Sequence, residues 1–169
     1  MGAVVLGLGA SLSLYKPAGE LTIGVNDIWQ YFKTDIVVCL DKLGAFTPDR
    51  LRTINNCTPK AFYSQMACWN RRSDYQKIEF NDSYPDRTCD ISGWKYQKSY
   101  CSPFVAVQIA FRYYERDEIH LYGVDLLNHP HLNYAMTMKI KTHFINLKRA
   151  LEAEGCHLIV HGDGILKDI

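Results

Sequence analysis

The sequence predicts an α/β fold, a mainly parallel sheet flanked by helices and carrying one irregular, aromatic-rich insertion. Three features predict it. Short β-branched apolar runs recur without polar alternation, as in strands buried on both faces. Segments with helical spacing of apolar residues stand between the later runs. The stretch 66–101 holds Trp69, Tyr75, Phe80, Tyr84, Trp94, Tyr96 and Tyr100 but no sustained period.

The first run, Ala3-Val4-Val5-Leu6-Gly7-Leu8-Gly9, reads as a buried strand closing in a tight turn. Residues 21–26 and 35–41 repeat the pattern, each bounded by polar or glycine residues. Thr47-Pro48-Asp49 gives a cap followed by proline at the first helical position, opening a short helix to about Asn55. Residues 60–64 form a further strand. The insertion is expected to be loops with a short hairpin, either a plug over one sheet face or a lid over a substrate. Ser102-Pro103 then caps a helix over 103–116, in which Ala106, Ile109, Ala110 and Tyr113 share a face. A strand over 118–125 leads to a turn at His129-Pro130-His131. Ile140, Phe144, Leu147 and Leu151 mark a last amphipathic helix ending near Gly155, and residues 156–160 a last strand.

With 169 residues, 47% of them hydrophobic, the chain builds one core, and 1–169 is read as a single nucleotide-binding-like α/β domain. A formal net charge of +1 argues against holding nucleic acid mainly through phosphates. No apolar run reaches the ~18 residues that span a bilayer, and no secretory pattern opens the chain. A cytoplasmic protein is expected. The six cysteines are scattered, without C-x-x-C, and reduced thiols are expected. No metal motif such as H-E-x-x-H occurs, so no metal site is assigned.

In open parallel sheets, ligands bind beyond the carboxyl ends of the strands, so the residues there are read together. Gly7-Leu8-Gly9-Ala10-Ser11-Leu12 begins like a dinucleotide fingerprint but has Leu12 where a third glycine belongs, which disfavours an NAD site. Gly7 and Gly9 still allow close backbone approach, and Ser11 adds a hydroxyl suited to a phosphate or a base edge. Asn26 can donate and accept, and Asp125 after Gly123 can accept from ribose hydroxyls. Each could instead organise a turn. Ser102 at a helix start suits an anion or simply caps. His143 can take a proton near neutral pH, with His129, His131 and His161 as competing candidates. No D-x-D occurs, so the acidic clamp for a metal-bound sugar diphosphate is missing.

In order and spacing, G-L-G-A-S-L at 7–12, I-G-V-N at 23–26, Ser102 opening a helix, E-I-H-L-Y-G-V-D at 118–125 and His143 resemble the family 42 bacterial sialyltransferases and the related MptE-like proteins. The resemblance covers most of the chain outside 66–100. It implies a Rossmann-like fold that uses a CMP-sugar as substrate, with no cofactor and no metal. Gly9 and Ser11 would lie at the donor, Asn26 at the cytidine, Ser102 near the donor, Gly123 and Asp125 at the ribose. His143 would be the general base on the acceptor hydroxyl. The family has tyrosines for the departing phosphate; here Leu127 stands in one such place and Tyr134 is the substitute, while Ala10 replaces a proline. The expected function is therefore a metal-independent, sialyltransferase-like glycosyltransferase. The alternatives are a non-enzymatic nucleotide-binding protein and an MptE-like pyrophosphokinase that needs ATP and a metal. A homo-oligomer is compatible with the chain, and the acceptor is not specified.

Overall fold

A computed structural model describes residues 2–127, 129 and 131–169. Its strands are β1 (Gly2–Leu6), β2 (Leu21–Val25), β3 (Ile36–Val38), β4 (Ala61–Ser64), β5 (Tyr75–Lys77), β6 (Glu118–Tyr122) and β7 (His157–Val160). The helices are α1 (Pro48–Asn56), α2 (Ser102–Tyr114) and α3 (Tyr134–Ala153). All strand pairs are parallel, in the order β5-β4-β3-β2-β1-β6-β7. The fold is α/β and Rossmann-like. From β1 the chain steps outward to β5, and α2 then carries it back to β6 on the other side of β1. The order of winding reverses between β1 and β6.

The two faces are packed differently. Ala3, Val5, Ile23, Val25, Ile119 and Leu121 point to the side covered by α2 and α3, where Phe104, Ile109, Phe144 and Leu147 are fully buried. Burying one such side chain is worth about 1.5–3 kcal/mol, so this layer supplies most of the apolar stabilisation. On the opposite face Val37, Phe62 and Trp69 pack near α1, while Leu6, Leu12, Tyr15 and Ile28 seal β1. The links β1–β2 and β2–β3 contain only short 3₁₀ turns, Ala10–Leu14 and Ile28–Gln30.

The insertion supplies the edge strand β5, paired in parallel with β4 where the sequence suggests a hairpin. A further parallel bridge joins Phe80 to Tyr96. Ile78, Ile91 and Tyr96 belong to the main core, so much of this stretch is structural. The buried Gln108 of α2 anchors it: the Gln97 amide N–H donates to Gln108 Oε1, and Gln108 Nε2 donates to the Gln97 carbonyl, both at 2.9 Å. Helix α2 starts one residue before its expected first position, with Cys101 rather than Ser102 in the cap. It stops at Tyr114 because Glu115 is left-handed, with φ 45°. Strand β6 ends at Tyr122 because Gly123 has φ +69°. The turn read at Pro130 lies outside the described residues.

Candidate functional site

The reversal between β1 and β6 makes their carboxyl ends the first place to look for a ligand. The loops following these strands are bound to each other. The β1–β6 ladder continues past both strands, Gly7 N–H donating to the Tyr122 carbonyl at 2.8 Å and Gly9 N–H to the Gly123 carbonyl at 2.7 Å. A Cβ on Gly7 would stand 2.3 Å from the Gly123 carbonyl oxygen, and one on Gly9 2.4 Å from Asp125 Oδ2. These glycines let the protein's own loops touch.

Ser11 and Asp125 complete the same knot. Ser11 Oγ accepts from Gly123 N–H at 2.8 Å, and Asp125 Oδ2 accepts from Ser11 N–H at 2.9 Å. Both side chains are buried, at 7% and 9% exposure, and Gly162 and Gly164 close over them from the segment after β7. The structure therefore brings together Gly7, Gly9, Ser11, Gly123 and Asp125. Their polar atoms stabilise one another, and each hydrogen bond there is shielded from water.

Asn26, beyond the end of β2, is left-handed with φ 52°, a conformation asparagine tolerates better than most residues. Its amide N–H donates to the Val38 carbonyl, and Nδ2 approaches Asp41 Oδ2 at 3.4 Å. Asn26 Oδ1 is buried without a hydrogen-bond partner among the described residues. A buried acceptor without a donor is uncommon, so this atom calls for an explanation. The neighbouring Asp27, 1% exposed, is held by a fork from Arg50: Nε to Oδ2 at 2.9 Å and Nη2 to Oδ1 at 2.7 Å. Burial, and His131 beside it, push the His129 imidazole below the ordinary histidine range, while Asp41 acts in the opposite sense.

Ser102 is buried at the first position of α2, followed by Pro103. Tyr134 opens α3 and is 78% exposed, with Asn133 Oδ1 capping the helix by accepting from Met136 N–H at 2.9 Å. His143 lies in mid-α3, fully buried, beside Phe104 of the first turn of α2. Ser99 Oγ is 2.9 Å from His143 Nδ1, and Asp86 Oδ1 is 3.0 Å from Nε2. Tyr84 and Tyr100 lie nearly parallel to the imidazole and to each other. Sequence reading missed Ser99 and Asp86, since nothing in their spacing from His143 points to contact.

A second polar cluster sits on the opposite face, on β6 and just beyond β7. His120 Nδ1 is 2.8 Å from His161 Nε2, Tyr122 stacks on His161 at 4.0 Å, and Glu118 reaches to 3.6 Å from His120 Nε2. Burial and the nearby His120 hold the His161 imidazole below its ordinary range. The unfolded chain therefore takes up a proton first as pH falls, and stability decreases on acidification through about pH 6.5. Thermal melts from about pH 7.5 to about pH 5.5 are expected to show this fall, and His161→Phe should flatten it. An unchanged slope in the variant would remove His161 as its source.

His157-x-x-x-His161 has the spacing by which two histidines on a helix share a metal, but here it lies on and just beyond β7. On an extended chain four steps cover about 13 Å, too far for one metal ion to bridge. Among the described residues no cluster of three or more His, Cys, Asp or Glu side chains is arranged to hold a metal, and no helix is long and apolar enough to cross a membrane.

No family model, curated protein or solved structure matches the chain.

Proposed function

We propose that the protein binds a nucleotide or nucleotide sugar, of the CMP-sugar type, at the carboxyl edge of the sheet, and transfers the sugar to an acceptor hydroxyl without a metal. The observation that carries the reading is the reversal of winding between β1 and β6. The unpaired Asn26 Oδ1 at the neighbouring strand end supports it, since that acceptor suits the amino group of a cytosine or a ribose hydroxyl. Ser11 and Asp125 then shape the floor through their mutual bonds, and a ligand that engages them must compete for those bonds.

His143 is the base in this reading, and Asp86 orients it. A carboxylate only accepts, so in the neutral ring Nε2 carries the proton and Nδ1 the lone pair. An acceptor hydroxyl would take the place of Ser99 Oγ on Nδ1, with Ser99 turning to another rotamer. Tyr134, exposed at the start of α3, remains the residue proposed to contact the leaving group or the acceptor.

The test is CMP release from CMP-sialic acid in the presence of a panel of hydroxylated acceptors and a chelator. Release is expected, and His143→Gln should slow it by about 10²-fold or more. Donor recovered intact would contradict transfer and favour a binding protein. Release of product only from ATP with magnesium would favour the pyrophosphokinase alternative.

A further inference from the structure

We infer that Ser99 is a nucleophile, activated by His143 and Asp86, which accepts an acyl group from small carboxylic esters. The inference does not rest on nucleotide binding. It rests on three functional groups in line: hydroxyl, imidazole and carboxylate, at 2.9 Å and 3.0 Å. This is the arrangement by which a serine loses its proton to an oriented base, here with the two ring nitrogens in exchanged roles.

The direction of the bonds follows from the chemistry of the partners. Asp86 fixes the proton on Nε2, so Ser99 must donate to Nδ1, the direction in which a nucleophilic serine gives up its proton. His143 itself is fully buried, enclosed by Tyr84, Tyr100 and Phe104, whereas Ser99, which covers Nδ1, is partly exposed. An incoming molecule meets the serine first, and reaches Nδ1 only from the side that the Ser99 hydroxyl covers. Cys101 is not a rival, since burial pushes its thiol up to about 12 and the Phe104 N–H only partly counters this.

The N-terminus of α2 lies three residues beyond Ser99. Pro103 offers no N–H there and the Phe104 N–H is engaged by Cys101, so what this helix end contributes is its dipole, which favours negative charge close by. In the reaction, Ser99 Oγ bonds to the ester carbonyl carbon while its proton passes to His143 Nδ1. The tetrahedral adduct collapses, the carbon–oxygen bond to the alcohol breaks, and His143 returns the proton to the leaving alkoxide. Water then gives a proton to the same nitrogen and bonds to the acyl carbon; the bond from that carbon to Ser99 Oγ breaks, His143 returns the proton to Ser99 Oγ, and the acid leaves.

The protein is treated with p-nitrophenyl acetate, and in parallel with a fluorophosphonate, with no nucleotide present. Nitrophenol release and peptide mass spectrometry are the readouts. One acetyl or phosphonyl group is expected on Ser99, absent in Ser99→Ala, and formed about 10²-fold more slowly in His143→Gln. Asp86 is 63% exposed, so Asp86→Asn should fold and keeps the test decisive if the buried variant does not; it should slow labelling by about tenfold or more. Wild-type protein unlabelled at Ser99 would overturn the inference. So would labelling at one rate in wild type and Asp86→Asn. Because the assay contains no nucleotide, its failure is distinct from a failure to bind CMP.

Discussion

Phe104→Ala is expected to lower stability by about 3–5 kcal/mol, the largest effect of any single substitution considered. Phe104 is fully buried in the first turn of α2 and meets Phe144 edge-on, with centroids 5.4 Å apart and planes at 88°. Truncation removes that contact and leaves a cavity that neither helix can easily fill, because α2 also packs on β1, β2, β3 and β6. For a chain of this length the midpoint should fall by about 10 °C or more. Phe104 also lies beside His143, with centroids 6.1 Å apart, so the cavity opens next to the imidazole. The variant should therefore lose reactivity at Ser99 even at temperatures where it stays folded. Circular dichroism melts combined with labelling rates check both parts. A loss below about 1 kcal/mol would mean that Phe104 does not join the two helices in the way described.

Gly7→Ala is the second large effect, about 3 kcal/mol, at the upper end for overpacking because the clash is with backbone. The added methyl would meet the Gly123 carbonyl oxygen at 2.3 Å, and no side chain can turn aside to relieve it. The loops after β1 and β6 would have to separate, breaking the 2.7 Å bond from Gly9 and disturbing the Ser11–Asp125 bond. Gly44→Ala is the control, since a Cβ there meets nothing within 4 Å and a near-neutral change is expected. Chemical denaturation of the two variants side by side decides. Equal stabilities would show that the two loops are not held as closely as the bonds between them indicate.

The layers were legible in the sequence because the strands bury both faces and so read as unbroken apolar runs. Ala3 to Leu6 and Ile36 to Val38 are cases where composition alone specifies a central parallel strand. Strand β5 was not legible: Tyr75-Gln76-Lys77 is largely exposed at the edge and has neither apolar content nor alternation. The glycine knot was half legible. The sequence indicates that Gly7 and Gly9 permit close approach, but the partner that approaches is Gly123 and Asp125, which no local pattern encodes. His143 could be selected as a titratable residue on a helix. That it would be fully buried between Ser99 and Asp86 depends on how residues 66–101 fold back over α2 and α3, and an aperiodic segment carries no such information.

Nucleotide binding at the carboxyl edge is the central claim, and thermal unfolding against CMP, CDP, UDP, GDP, ATP and CMP-sialic acid, with and without magnesium, tests it most directly. A ligand at about 100 times its dissociation constant adds about 2.7 kcal/mol, enough to raise the midpoint by several degrees. The account predicts such a rise with the cytidine ligands, equal in the presence and absence of magnesium. No rise with any cytidine ligand would contradict it.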